Sequence, residues 1–232
     1  MSIFTKSKQR FRRHKLKQLG IEPVSCKTSA IYGGDHGWVV DESLLNSDSV
    51  IYSVGVGANI DFDLELIDSL GVTVHAFDPT PRSVEWVKGQ ELPKKFIFHP
   101  LGLSAENGFM SFYPPDKSTS THFSPVDRYG NTKNEIKAQV KNIDTIASEL
   151  NHRKIDLLKI DIEGAWYEVI EARPDSDIKI DQILIELHHM YKGISISQTV
   201  EAINTLQKLW FELFNISQRT YEFFYKKREL EN

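Results

Sequence analysis

Residues 50–60 read VIYSVGVGANI and residues 72–80 read VTVHAFDPT, and these two stretches decide the fold. Each begins with an apolar run of strand length. Gly55 and Gly57 close the first run, and Asp78 closes the second, 21 residues after Gly57. Glycines let a ligand approach the backbone, and an acid at the next strand end can accept hydrogen bonds from two ribose hydroxyls. The spacing therefore predicts a nucleotide-like ligand on an α/β sheet.

The residue that follows the glycine turn helps to identify this ligand. Position 60 is Ile60, so the third glycine of the dinucleotide fingerprint is missing. This counts against NAD and FAD, whose pyrophosphate needs a close approach of the helix. S-adenosylmethionine carries no phosphate and needs only a tight turn and an acid for its ribose, so we expect this cofactor. Ser53 is a departure, because many methyltransferases have an acid two residues before the first glycine.

Apolar, strand-like runs alternate with helix-like segments along the chain, which predicts βαβ units and a parallel sheet. We expect strands at 50–56, 72–77, 96–100, 108–113, 155–160, 180–187, 211–216 and 221–225. We expect helices at 61–70, from 80 onward, and at 143–150, 166–172 and 197–210. Thr80 suits a helix N-cap and Pro81 suits the first helical position. The last two strands follow each other directly, so we expect them to form an antiparallel edge.

The size and composition of the chain are those of an ordinary globular protein with one substantial domain. It has 232 residues, of which 40% are hydrophobic and 26% are charged. No apolar run approaches the ~20 residues of a membrane span, and the basic start lacks the apolar segment of a secretory signal. Cys26 is the single cysteine, which excludes an internal disulfide and a cysteine-rich zinc site. Together these features predict a reducing, cytoplasmic setting.

The first 17 residues carry seven basic and no acidic side chains, although the net charge of the chain is −4. One interpretation is an arm for anionic lipid or nucleic acid. The other, which we favour, is a solvated basic helix that keeps one end of the domain soluble. Because the rest of the chain is acidic, nucleic acid is a disfavoured partner, whereas weak contact with a membrane surface stays open. We treat residues 1–30 as a basic N-terminal extension.

Acidic and histidine residues follow two of the predicted strands. Asp161 and Glu163 come after the strand at 155–160, where open α/β sheets bind their ligands. They could attract a sulfonium, act as a general base or hold a hard cation such as Mg²⁺, or they could simply favour the first turn of a helix. His188 follows the strand at 180–187 and could take a proton from a hydroxyl nucleophile; the alternative is a polar residue on a surface loop.

Two irregular segments flank the predicted site. Residues 114–135 are rich in Ser, Thr, Pro and Asp, and they predict a long surface loop that carries substrate specificity, with His122 and Tyr129 as polar side chains. Residues 32–38 place three glycines among aromatic side chains. They predict either a cover for the mouth of the pocket or a glycine-rich entry loop.

Four motifs together resemble the FkbM-type methyltransferases, and in particular a methyltransferase-like subgroup of that family. They are SVGVGAN at 53–59, HAFDPTP at 75–81, LKIDIEG at 158–164 and IELH at 185–188. Their joint occurrence in this order is much more specific than any one of them. The resemblance implies a Rossmann-like class I methyltransferase fold, with a seven-stranded, mostly parallel sheet and an antiparallel C-terminal edge strand. It makes residues 31–232 an S-adenosylmethionine-dependent methyltransferase domain.

The same resemblance implies a methyltransferase that acts on a hydroxyl of a sugar, a glycan or a small natural product. The cofactor residues that we expect are Ser53, Gly55, Gly57, Asn59, Asp78, Thr80, Gly102 and Asp161. Asp161, Glu163 and His188 are the candidates for catalysis and for the ligands of a divalent metal, if one is used. Two alternatives stay open: an NAD-dependent oxidoreductase or epimerase, and a non-catalytic binding protein on a degenerate methyltransferase fold.

Overall fold

A seven-stranded sheet with helices on both faces forms the centre of the structure, and a two-stranded and a three-stranded sheet lie beside it. The computed structural model describes residues 3–34, 37–115, 123–125, 127, 134–162, 164, 166–173, 176–187 and 195–228. The helices are α1 (Ile3–Gln18), α2 (Asp61–Leu70), α3 (Pro81–Lys88), α4 (Ile143–Glu149), α5 (Trp166–Glu171) and α6 (Ile196–Lys208). The strands are β1 (Ser29–Tyr32), β2 (Trp38–Asp41), β3 (Val50–Val54), β4 (Thr73–Phe77), β5 (Phe96–His99), β6 (Gly102–Leu103), β7 (Gly108–Phe112), β8 (Ile136–Lys141), β9 (Lys154–Ile160), β10 (Lys179–Glu186), β11 (Phe211–Ile216) and β12 (Glu222–Lys227).

The strand order of the large sheet is β11-β12-β10-β9-β3-β4-β5. Strands β3, β4, β5, β9 and β10 run parallel to their neighbours within this group, and β12 runs antiparallel to both β10 and β11. The predicted class I methyltransferase fold is therefore confirmed. The antiparallel strand lies one place inside the edge, because β12 carries the fully buried Phe223, Phe224 and Tyr225 and needs a neighbour on each side.

Alternating side chains of the central strands feed two apolar cores, one on each face of the sheet. On β3, Tyr52 and Val54 belong to the core that α4, α5 and α6 cover, whereas Ile51 belongs to the core that α2 and α3 cover. The carboxyl ends of β3, β4 and β9 meet at one edge of the sheet because these strands are parallel. The segments that follow these three strands therefore build the site.

Several elements depend on pairing that local patterns do not reveal. The expected strand at 108–113 is β7, which pairs with β8 in the small three-stranded sheet. Strand β8 and the hairpin of β1 and β2 were not predicted. Of residues 32–38, interpreted as a cover or an entry loop, Tyr32 and Trp38 pair with each other where this hairpin turns, and residues 35 and 36 lie outside the described residues.

The basic N-terminal segment forms α1, and one of its faces packs on the domain. Leu16 is 1% exposed within the same core as the large sheet. Arg12 contacts the hydroxyl and the ring of Tyr221, and Arg13 donates to the carbonyl of Ser217 at 3.1 Å. The domain boundary at residue 30 and a contact with membrane surfaces stay predictions. Among the described helices, none is both long and apolar enough to cross a bilayer.

The predicted specificity loop at 114–135 is described only in part. Tyr113, just before it, forms an antiparallel bridge with Ser124 through two backbone hydrogen bonds of 2.8 and 3.1 Å. Phe123 stands next to this bridge. The two polar residues singled out in the loop, His122 and Tyr129, lie outside the described residues.

Candidate active site

A cavity of about 330 Å³ opens at the carboxyl ends of β3, β4 and β9, within the size range of ligand pockets, ~300–1,000 Å³. It lies where open α/β sheets bind their ligands. Seven of the eight expected cofactor residues line it: Gly55, Gly57, Asn59, Asp78, Thr80, Gly102 and Asp161. Ser53 is fully buried and is not among the lining residues. The tertiary structure thus brings together residues that are up to 106 positions apart, from Gly55 to Asp161.

The glycine turn is shaped by a contact within the protein. Gly55 has φ +89°, and its amide donates to the carbonyl of Phe77 at 2.9 Å. A Cβ at this position would overlap the carbonyl oxygen of Asp161 and lie 2.7 Å from the carbonyl carbon. Asp161 is itself held by a 2.9 Å hydrogen bond from its amide to Val54. Glycine is therefore required at position 55 by the approach of the end of β9, whether or not a ligand is bound.

Asp78 connects the end of β4 to the glycine turn. Its Oδ2 accepts hydrogen bonds from the amides of Val56 and Gly57 at 3.1 and 3.0 Å. Its Oδ1 accepts from the amide and the hydroxyl of Thr80 at 2.9 and 2.7 Å. A carboxylate offers about four lone-pair sites, so protein donors occupy all of them here. Asp78 thereby holds the turn in place, and the binding of ribose would require hydroxyls to replace some of these donors.

Two other expected cofactor residues also have structural roles at the cavity wall. Asn59 accepts a hydrogen bond from the amide of Asp61 at 2.8 Å and so satisfies one free donor at the start of α2. Gly102 lies where a Cβ would be 3.0 Å from Pro79 and 3.0 Å from Val140. A larger residue at position 102 would therefore push on the segment that follows Asp78.

Of the three catalytic candidates, the structure describes Asp161 alone. Asp161 lines the cavity and is half-buried. Glu163 and His188 lie outside the described residues, so their roles in catalysis or metal binding stay predictions. Within the described ranges, no three His, Cys, Asp or Glu side chains are grouped so that they could hold a metal ion.

Two charged residues that we did not single out from the sequence also line the cavity. Asp63, in the first turn of α2, is 2% exposed, and Lys159, near the end of β9, is 5% exposed. Burial raises the pKa of Asp63, and the Lys159 charge and the Ser53 hydroxyl oppose this rise. The sequence did contain a signal for Asp63, because this acid lies on the buried face of α2 together with Phe62 and Leu66.

The remaining wall of the cavity is largely aromatic, and it includes one arginine. Phe112 and Phe123 line it, together with Ile162. Arg219, on the turn before β12, also lines it and forms ion pairs with Glu222 and, at 3.6 Å, with Glu186. This wall therefore presents apolar surface and an arginine that is paired with two glutamates.

Comparison with known proteins places this geometry in a family. The model of the methyltransferase FkbM domain matches residues 55–221, which is more than half of the chain. The probable methyltransferase-like protein 24 of Homo sapiens is 23% identical over 189 residues, covering 80% of this chain and 44% of that protein. Its counterpart from Rattus norvegicus is 24% identical over 184 residues, covering 78% of this chain and 43% of that protein. The chain thus spans less than half the length of these curated relatives.

The similarity to solved structures is weak. A fibrillarin pre-rRNA processing protein of Methanococcus jannaschii superposes with a TM-score of 0.47 and 12% identity, covering 78% of this chain and 67% of that chain. The family match spans the glycine turn, Asp78, Asp63 and Lys159, so it includes both the expected and the unexpected residues of the cavity. The chain therefore belongs to the FkbM methyltransferase family.

Proposed function

We propose that this chain transfers a methyl group from S-adenosylmethionine to a hydroxyl of a sugar, a glycan or a small natural product. The observation that carries the proposal is one cavity that combines the glycine turn, Asp78 and Asp161 with an aromatic wall. Membership of the FkbM methyltransferase family supports methyl transfer. The hydroxyl acceptor and its chemical class are our inference.

The residues of the cavity fit the proposed methyl donor. Gly55 and Gly57 add no side chains of their own to the cavity wall, and Asp78 can accept from ribose once its hydroxyls replace some of the protein donors on that carboxylate. One buried polar atom without a hydrogen-bond partner among the described residues, Asp63 Oδ1, belongs to a residue that lines the cavity. A polar, charged ligand can satisfy such groups, whereas an apolar one would leave them unpaired.

In the proposed reaction the protein positions the acceptor and removes a proton from its hydroxyl. When bound, S-adenosylmethionine supplies an electrophilic methyl group on a sulfonium. The cavity walls align the acceptor with this methyl group and exclude water, which accounts for much of the rate enhancement in reactions of this kind. A hydroxyl is a weak nucleophile while protonated. We assign Asp161 the role of base, because this carboxyl-bearing residue lines the cavity at the end of β9, beside the glycine turn.

The aromatic wall supports a ring-shaped acceptor. Phe112 and Phe123 line the cavity, and Phe123 belongs to the loop at 114–135 that we predicted to carry specificity. Sugar rings and natural products with fused rings pack on such side chains, with a few polar groups setting their orientation. Arg219 is the polar group that the described wall offers, and its two glutamate partners neutralise it.

Labelled methyl transfer tests the proposal. Wild-type protein is incubated with S-adenosylmethionine labelled in its methyl group and with separate pools of free sugars, glycans and hydroxylated natural products. We expect label in one pool, and we expect Asp161→Asn to lower kcat by about 10²- to 10⁴-fold while calorimetry shows unchanged binding of S-adenosylhomocysteine. The control is Asp61→Asn, an exposed acid outside the cavity.

Two outcomes would contradict parts of the proposal. Full turnover by Asp161→Asn would remove Asp161 from the role of base. Tight binding of NAD without binding of S-adenosylmethionine or S-adenosylhomocysteine would overturn the choice of methyl donor.

A further inference from the structure

Asp63 and Lys159 form a pair of opposite charges in the wall of the cavity. Both are almost fully buried, at 2% and 5% exposure, and both line the cavity beside the glycine turn. They come from different elements, α2 and β9. Burial of two charges is costly unless both are paired and hydrogen-bonded, so their position requires an explanation.

The hydrogen bonds of this pair are incomplete. Asp63 Oδ1 is buried and has no hydrogen-bond partner among the described residues, and no ion pair within 4.0 Å joins it to Lys159 in that part of the chain. The Lys159 ammonium has three donors. One of them makes a long contact of 3.5 Å with the carbonyl of Gly55. The cavity thus presents an acidic and a basic side chain whose hydrogen bonds are incomplete.

Trp38 fixes one side of the lysine. The Lys159 Nζ lies 4.7 Å from the centre of the Trp38 ring, within the range of a cation–π contact. Trp38 is 7% exposed and, with Gly33, brings the hairpin of β1 and β2 to this end of the cavity. The amino group of Lys159 therefore lies in a largely dry environment, where an incoming carboxylate would bind strongly.

A ligand that satisfies the hydrogen bonds of both side chains must carry one positive and one negative charge close together. An α-amino acid does so, because its ammonium and carboxylate are attached to the same carbon. A ligand with a single charge would satisfy one residue and leave the other buried and unpaired. We propose that Asp63 binds the ammonium and Lys159 binds the carboxylate of the amino-acid end of the methyl donor, an assignment that rests on the proposed use of S-adenosylmethionine.

This pair also accounts for Ser53. A serine stands where many methyltransferases have an acid, and Ser53 is fully buried below the turn. Asp63 lies close enough to Ser53 for the hydroxyl to influence its carboxyl group. Through Asp63, helix α2 therefore supplies the acid that β3 lacks at the position of Ser53.

Two ligands that differ only at the amino-acid end test the assignment. S-adenosylhomocysteine carries the zwitterion, and 5′-methylthioadenosine has the same nucleoside and sulfur without it. We would measure both dissociation constants by calorimetry for wild type, Asp63→Asn, Lys159→Met and the control Asp61→Asn. Each charge-reducing variant should weaken the binding of S-adenosylhomocysteine by about 10- to 100-fold, which is the equivalent of one charge-assisted hydrogen bond. The affinity for 5′-methylthioadenosine and the behaviour of Asp61→Asn should stay at wild-type values.

The two ligands also separate the possible failures. Unchanged binding of S-adenosylhomocysteine by both variants would overturn the assignment, and so would an equal loss for both ligands, which indicates a general disturbance of the site. Retained binding of 5′-methylthioadenosine shows that a variant is folded. If folded wild-type protein binds neither ligand, the proposed methyl donor is wrong and the assignment fails with it.

Discussion

Replacing Gly55 with alanine tests whether the fold itself requires the glycine turn. The backbone at Gly55 has φ +89°, a region that costs an L-residue roughly 1–2 kcal/mol. The new Cβ would also overlap the Asp161 carbonyl group, and overpacking of this kind costs about 1–3 kcal/mol. We therefore expect Gly55→Ala to lower the free energy of unfolding by about 2–5 kcal/mol.

A matched variant isolates the contact with Asp161. Gly20 has a similar φ of +73°, but a Cβ there would meet no atom within 4 Å. Gly20→Ala should therefore show only the backbone cost, roughly 1–2 kcal/mol. The difference between the two variants measures the cost of pushing the end of β9 away from β3.

Urea unfolding without ligand, followed by circular dichroism, provides both free energies. In a thermal scan, the expected loss for Gly55→Ala corresponds to a decrease in Tm of roughly 4–20 °C for a domain of this size. An equal loss for Gly55→Ala and Gly20→Ala would refute the reasoning. In that case the glycine would serve the ligand alone, as the sequence motif suggests.

Three further predictions concern other parts of the structure. Asp78→Ala removes the acceptor of four hydrogen bonds, so it should destabilise the protein by about 2–4 kcal/mol. It should also abolish the rise in Tm that S-adenosylhomocysteine causes, and an undiminished rise would contradict the cofactor role of Asp78. Burial, with the charges of His152 and His99, lowers the pKa of His75 from 6.5 to about 4, so stability is full above pH 6.5 and falls as the pH decreases toward 4. This loss should be about 2–3 kcal/mol in urea titrations, and the same pH slope in His75→Phe would rule out His75 as its source. Leu16→Ala should cost about 2–4 kcal/mol because Leu16 is buried in the main core, and unchanged urea unfolding would mean that α1 adds nothing to the stability of the domain.

Local chemistry in the sequence was sufficient to predict most of the large sheet and its helices. Gly71 ends α2 in the left-handed conformation with φ +66° and donates to the carbonyl of Ile67 at 3.0 Å, as expected of a C-terminal glycine. Thr80 and Pro81 take the predicted N-cap and first positions of α3, although the Thr80 hydroxyl donates to Asp78 and does not cap the helix. Such signals act within a few residues, so a single sequence reveals them.

Elements that depend on distant partners were missed. Strand β8 has a mixed burial pattern and gains its hydrogen bonds from β7 and β6. Strands β1 and β2 are four residues each and form a two-stranded sheet of their own among the described strands, while Asp41 at the end of β2 donates its amide to Gln182 on β10 at 2.8 Å. These contacts join positions far apart in the chain, and no local periodicity encodes them.

The sequence by itself determined the class of the protein and the position of its site. Two apolar runs that end in Gly55, Gly57 and Asp78 were sufficient for the position of the site, because parallel strands place their carboxyl ends at one edge, and four motifs in order indicated the class. Only the tertiary structure decided why Gly55 is glycine and which charges line the cavity. The approach of Asp161 to Gly55, and of Lys159 to Asp63, depends on how β9 and α2 pack against β3. Packing of this kind is a property of the assembled sheet and not of any one segment.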